Sequence, residues 1–297
     1  MRLYTIEIDK KQVVAIQHQN RKLYPVYEFG MKFVDMNELI NNISKEQLEQ
    51  LKLQTKSEEG ISGKQGYALE QCKICAPIPV PKQDIICLGV NYDEHIKETK
   101  EVLDFSEKSA TVYFSKRVNE TRGHDATIPN YRFVDSLDYE VELGVILGKD
   151  AKRISAEMSS EVIFGYTIIN DISARNLQMR HQQWYIGKSL DGYTLMGPCI
   201  VTADEIANIQ NLNIICRVNG EIRQNSNTKY MIQNVANAIC EITQGITLKK
   251  GTIIATGTPG GVGMGMNPPT FLKAADEVVC EIEEIGVLRN RVGMEEE

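Results

Sequence analysis

Three carboxylates carry the first chemical signal. Glu140 and Glu142 stand two apart in Asp138-Tyr139-Glu140-Val141-Glu142-Leu143-Gly144, and Asp171 follows in Asn170-Asp171-Ile172-Ser173-Ala174-Arg175. From Tyr139 to Leu147 the apolar residues are aliphatic or β-branched. A strand there would point both glutamates to one face, about 7 Å apart at the backbone. Like charges side by side on a strand are destabilising, and a divalent cation is the simplest neutraliser. A lone Glu-x-Glu reads as a solvated strand face; a third carboxylate at a second strand end turns the reading to a hard-metal site.

Asp171 closes the apolar run Val162-Ile163-Phe164-Gly165-Tyr166-Thr167-Ile168-Ile169, and a polar, helix-compatible segment runs from Ser173 to Tyr185. That placement predicts a helix N-cap at a strand-to-helix switch. Arg175 and Gln178, four and seven residues on, would share its face. Taken singly, Asp171 is an ordinary cap and Arg175 a surface charge.

His95 and Glu98 are three apart, so one helical turn brings imidazole and carboxylate together, and a carboxylate orients a histidine as a general base requires. The alternative is an exposed helical pair. The segment Tyr92 to Lys108 is too polar for core, which suits a mobile lid. Gly187-Lys188-Ser189 resembles the end of a P-loop, but Gln182 stands where the motif demands glycine. Gly257-Thr258-Pro259-Gly260-Gly261-Val262-Gly263 is not a dinucleotide fingerprint, because no amphipathic helix follows and Pro268-Pro269 breaks the chain. It reads as a tight loop whose NH groups and Thr258 hydroxyl approach a ligand carboxylate. Cys72-Lys73-Ile74-Cys75 lacks a second pair or nearby histidines and reads as coincidence. His181 reads as a helix surface residue or, beside Trp184, a pocket wall.

These groups need a scaffold. Residues 1 to about 55 alternate as a hairpin (Leu3 to Ile8, Gln12 to Gln17, Leu23 to Val26) and continue into a polar helix from about Asn37 to Leu53. Pro77, Pro79 and Pro81 mark an extended connector. Beyond it strands are expected at Ile85 to Val90, Val141 to Leu147, Ile163 to Ile169, Cys199 to Thr202, Leu212 to Val218, Thr252 to Thr256 and Glu277 to Ile282. Helices are expected at Ser173 to Tyr185 and Tyr230 to Thr243. The class is sheet-rich α+β, with a small N-terminal α/β domain and connector over 1–78 and a catalytic domain over 79–297.

Composition narrows the function. The chain has 297 residues, 42% hydrophobic and 25% charged, enough for one large core or a large and a small one. A net charge of −7 argues against nucleic acid. No apolar run approaches the roughly 20 residues that span a bilayer, and the alternating start is no signal peptide, so a cytoplasmic protein is expected. The seven cysteines lie mostly in apolar runs, where reduced cysteine behaves as a small hydrophobe.

From about Asp84 to Val292 the chain resembles the fumarylacetoacetate hydrolase family, metal-dependent enzymes of 2-oxo and β-diketo acids. The landmarks occur in family order: Gly89-Val90-Asn91-Tyr92 with His95 and Glu98; Phe114 and Lys116; Asp138 to Leu143; Gly165-Tyr166-Thr167 to Arg175; Gln183-Trp184 to Asp191; Val218-Asn219-Gly220-Glu221; Gly257 to Gly263; and Leu288-Arg289-Asn290. Around His124 the sequence departs from the family's small-residue loop. The resemblance implies a mixed β-sandwich or roll, Glu140, Glu142 and Asp171 as metal ligands, and Lys188, Arg175, Gln178 and Thr258 lining the substrate pocket. It also implies a lid carrying His95 and Glu98, and a homodimer. All-carboxylate ligation favours Mg²⁺ or Mn²⁺ over zinc, with Ca²⁺ a third candidate. The expected partner is a small-molecule 2-oxo acid. The expected reaction is hydrolytic C–C cleavage of an acylpyruvate-type substrate, with water activated by His95 and Glu98 and with Lys188 holding the substrate carboxylate or enolate. The same site supports oxaloacetate-type decarboxylation, 2-oxo-enoate hydration or enol-keto isomerisation. A catalytically silent metal-binding homologue is the alternative from another class.

Overall fold

The computed structural model describes residues 1–99, 111–181 and 183–296. The expected lid beyond Thr99 lies outside the described residues.

The fold is sheet-rich α+β, and its centre is an eleven-stranded sheet. In spatial order its main path runs Tyr67–Ala68, Lys22–Pro25, Lys11–Gln17, Arg2–Ile8, Thr194–Thr202, Ile163–Asp171, Val141–Leu147, Ile253–Ala255, Ile85–Gly89 and Val112–Lys116, while Lys73–Cys75 pairs with Arg2–Ile8. The N-terminal hairpin thus extends the sheet that holds the carboxylates, through the pairing of Leu3 with Ile200. A second sheet orders Glu221–Asn227, Asn213–Val218, Glu277–Ile282, Gly286–Glu296 and Thr127–Tyr131.

Alternation assigns the two faces of the main sheet. Leu143, Val145 and Ile168 enter the larger core, which also takes Ile214, Cys216, Val278 and Cys280 of the second sheet. Ile146, Ile169 and Ile253 face the opposite way, into a second core closed by Met36, Leu39 and Ile40. The helix Val235–Gly245 is capped by Asn234, whose side chain accepts from Asn237 N–H, and buries Val235, Ala238, Ile239 and Ile242 at helical spacing.

Three expectations need correction. The polar helix from Asn37 to Leu53 is two helices, Met36–Asn42 and Lys45–Gln54, because Ser44 and Gln47 form a reciprocal capping box that starts a new one. The expected helix from Tyr230 begins only at Val235, after a single tight turn at Thr228–Tyr230. The expected helix from Ser173 to Tyr185 is a short strand, Ser173–Ala174, then two short helices, Arg175–Arg180 and Tyr185–Lys188. Asp171 is therefore no N-cap: it ends the strand Ile163–Asp171, and Ala174 precedes the helix.

Candidate functional site

The strands Val141–Leu147 and Ile163–Asp171 run antiparallel, with Glu142 opposite Ile169. Asp171 N–H donates to the carbonyl of Glu140 at 2.9 Å, which sets the two residues side by side at the end of the pair. Glu140 lies just before the strand, two residues from Glu142, and alternation sends both toward the face that Asp171 shares. Carboxylate oxygens of Glu140, Glu142 and Asp171 all come within 4.8 Å of one another, and all three residues are buried. The neighbouring strand Ile253–Ala255 leads to Gly257, whose N–H donates to Glu142 Oε2 at 2.8 Å. Gly257 has φ +88°, and a Cβ there would stand 2.8 Å from both Asn91 Cβ and the Leu88 carbonyl, so only glycine fits.

Buried cations interleave with these carboxylates. Lys188 Nζ donates to Glu140 Oε2 at 2.7 Å and to Asp171 Oδ2 at 2.9 Å. Lys116 Nζ takes the other Asp171 oxygen, Oδ1, and also donates to the carbonyls of Ile172 at 3.1 Å and Tyr193 at 2.8 Å. Arg175 Nη1 meets Glu140 Oε1 at 2.7 Å and Gln178 Oε1 at 2.9 Å, while its Nε donates to Asp138 Oδ2 at 2.9 Å. Asp138 in turn accepts the N–H groups of Gly263 and Met264, at 2.8 and 3.0 Å, tying the glycine-rich loop to the arginine. Lys116 and Asp138 were legible only as landmarks of a resemblance; a lysine closing the strand Val112–Lys116 was the available hint.

The electrostatics divide the glutamates. Burial would raise Glu140, but Lys188 and Arg175 outweigh it and hold its carboxyl below the usual range. Glu142 is pushed well above the usual range by burial, then by Asp171 and Glu140, and among the described residues it forms no ion pair. Burial would lower Lys188, yet Asp171 and Glu140 push it up and keep it charged. Asp138, Glu140, Glu142 and Asp171 thus outnumber Lys116, Arg175 and Lys188 by one, and Glu142 is the carboxyl left without a cationic partner among the described residues. Hard oxygen donors with one uncompensated carboxylate fit a hard divalent cation.

His95 and Glu98 lie on the helix Asp93–Thr99, and His95 Nδ1 stands 2.7 Å from Glu98 Oε1. The other Glu98 oxygen, Oε2, accepts Gly261 N–H at 2.7 Å. His95 is 5% exposed, so the pair is not a solvated helical pair. The helix is anchored by Asn91, whose Nδ2 donates to the carbonyls of Gln233 and Thr256 and whose Oδ1 accepts Gln233 N–H. Val90 before it has φ +55°, strained for a β-branched residue. One cavity of about 20 Å³ joins these groups, lined by Leu88, Gly89, Val90, His95, Phe114 and Trp184 on one hand and by Glu140, Glu142, Arg175, Gln178, Lys188 and Thr258 on the other. Thr258 lines it, but its hydroxyl proton goes to the Val141 carbonyl at 2.9 Å, and Gln224 Nε2 donates to its oxygen at 2.7 Å. Arg175 Nη2 is buried without a hydrogen-bond partner among the described residues. His124 lies elsewhere, against Val287 and Arg289, and His181 is exposed. Cys72 and Cys75 are free thiols. Among the described residues no helix is long and apolar enough to cross a membrane.

Residues 84–293 match the family model described as fumarylacetoacetate (FAA) hydrolase C-terminal. The chain is 44% identical over 228 residues to the oxaloacetate tautomerase YisK of Bacillus subtilis (strain 168), covering 76% of this chain and 75% of that protein. Its fold is similar to that of the fumarylacetoacetate hydrolase EaFAH from psychrophilic Exiguobacterium antarcticum, with TM-score 0.84, 33% identity and 99% of each chain covered. It is also similar to the 5-carboxymethyl-2-hydroxymuconate delta-isomerase from Mycobacterium smegmatis, with TM-score 0.75, 25% identity and 100% of each chain covered.

Proposed function

Since the chain belongs to the fumarylacetoacetate hydrolase family, we propose that it is a divalent-cation-dependent enzyme interconverting the keto and enol forms of a small 2-oxo acid of the oxaloacetate type. The observation that carries this reading is the His95–Glu98 pair, at 2.7 Å, opening on the same cavity as the carboxylates and Lys188. Enolisation needs a base at the carbon beside the keto group and positive charge at the oxygen where negative charge develops.

Glu98 accepts the Nδ1 proton of His95 and fixes the ring, so Nε2 is the nitrogen that exchanges a proton with the substrate carbon. Arg175, whose Nη2 has no hydrogen-bond partner among the described residues, and Lys188 receive the substrate's carboxylate and developing enolate oxygen. Gln178 holds the guanidinium in place through Nη1. A divalent cation held by Glu140, Glu142 and Asp171 would supply further positive charge to the same oxygens. Asp138 and Lys116 are not among the described residues lining this cavity; they hold Arg175 and Asp171.

Hydrolytic cleavage of an acylpyruvate, the reaction expected first from the sequence, uses the same groups and is supported by the likeness to EaFAH. The test is to follow loss of enol absorbance of oxaloacetate, with product identification, in Mg²⁺ or Mn²⁺ and in EDTA. Cation-dependent interconversion without new products is expected; oxalate and acetate as the products would replace this reading with the hydrolytic one, and pyruvate and CO2 with decarboxylation.

A further inference from the structure

The cavity sets an apolar wall beside its charged one, and the two meet at Phe114. Lys188 Nζ stands 5.5 Å over the Phe114 ring. That ring in turn meets Trp184 edge to face, with centroids 5.2 Å apart. Trp184 presses on the strand Ile85–Gly89 at a position that has no side chain: a Cβ on Gly89 would lie 2.4 Å from the indole. The same residue starts the turn that delivers the lysine, because Lys188 N–H donates to the Trp184 carbonyl at 3.0 Å. The indole thus packs between Phe114 and Gly89, while the backbone of the same residue starts the Lys188 turn. Phe114 and Trp184 both line the cavity, opposite its charged groups in kind.

We propose that Trp184 determines substrate specificity: with Phe114 it forms the apolar wall of the cavity, so the site takes compact 2-oxo acids and rejects aryl or long acyl tails. This rests on the 2-oxo acid reading above. Gly89 and Trp184 act together, since the missing side chain of one makes room for the ring of the other. Hydrophobic walls discriminate between tails by steric exclusion, and truncating the wall removes the exclusion.

Trp184 is the single tryptophan of the chain, so its emission reports on the cavity directly. Pyruvate titrated into the Mn²⁺-loaded enzyme is expected to change that emission saturably, along the same curve as its heat of binding. Heat without any change in emission would overturn the proposal while leaving the 2-oxo acid reading intact. No heat and no turnover of any 2-oxo acid would sink both.

The second arm compares kcat/KM for keto–enol interconversion of oxaloacetate and of phenylpyruvate. Trp184→Ala is expected to shift the ratio toward phenylpyruvate by about tenfold or more, the scale of a changed hydrophobic pocket. Trp184→Phe, which keeps a ring against Gly89, should stay nearer the parent and guards against misfolding of the alanine variant. Equal losses on both substrates, with the ratio unmoved in both variants, would mean a structural tryptophan and overturn the proposal.

Discussion

Lys188 Nζ lies 2.9 Å from Asp171 Oδ2, across a separation of 17 residues in which the chain leaves its sheet, turns and forms two short helices. The ammonium also holds Glu140 at 2.7 Å, so this lysine is at once a cavity wall and the counter-charge of two carboxylates. Its substitution should therefore act on two quantities in opposite directions. Lys188→Met is expected to lower turnover at least about a hundredfold, because charge at the developing enolate is lost. Removing a competing cation should leave divalent-ion affinity unchanged or tighter. Calorimetry with Mn²⁺ and steady-state kinetics on the same samples check both halves; a variant that binds oxalate in the presence of Mg²⁺ as tightly as the parent does would remove Lys188 from the substrate site.

Lys116 should behave otherwise. All three of its donors are spent inside the chain, on Asp171, Ile172 and Tyr193. Breaking a buried pair by removing one partner costs about 3–5 kcal/mol, and Lys116→Met also strands two carbonyls. The expected result is a large fall in melting temperature; Lys188→Met also breaks buried pairs but strands no carbonyl, so its fall should be the smaller. Equal melting of the two variants would show that the division of labour is wrong.

Glu142 gives a pH-dependent expectation. Its folded pKa is raised, so it stabilises the cation-free fold fully below the ordinary carboxylate range, and that contribution is lost as pH rises through the elevated value. In EDTA, Glu142→Gln should melt above the parent at pH 8, by about 2 °C or more, with the difference vanishing as pH falls. Added Mn²⁺ should stabilise the parent and not the variant, since a ligand that binds only the folded state raises its stability. Thermal scans across pH, with and without the ion, decide this; full turnover of the parent in excess EDTA would refute the cation requirement outright.

His95→Ala and Glu98→Ala are each expected to cut turnover about a hundredfold, the scale of a lost general base, with Mn²⁺ affinity retained. Wild-type rates in both variants would assign the base elsewhere.

Much of this was written locally. Glu140 and Glu142 at spacing two, in an aliphatic run, read correctly as turned to one side, although Glu140 lies just before the strand, and the strands Val141–Leu147 and Glu277–Ile282 fall where alternation placed them. The long strand Gly286–Glu296 escaped notice because Arg289, Arg291 and Glu295 make its outward positions look like loop. The cationic half of the site was illegible for a different reason. Lys116 and Asp171 are 55 residues apart, and only the sheet order brings the ends of their strands together. Asp171 misled because a short polar side chain before a helix-compatible segment has the same local signature whether it caps a helix or faces two lysines.

Glu98 reaches Gly261 through the main chain, and an amide N–H is supplied by every residue except proline. The path of the loop therefore helps to set the aim of the imidazole through a main-chain donor. That route needs glycine at the donor itself, since Gly261 has φ +102° and a Cβ there would lie 1.9 Å from the Arg223 carbonyl oxygen; what disables the base is a change of route. The histidine is in this sense a gauge of loop shape: a ligand that draws Gly261 away would slacken the carboxylate, and one that seats it would bring the proton acceptor to bear.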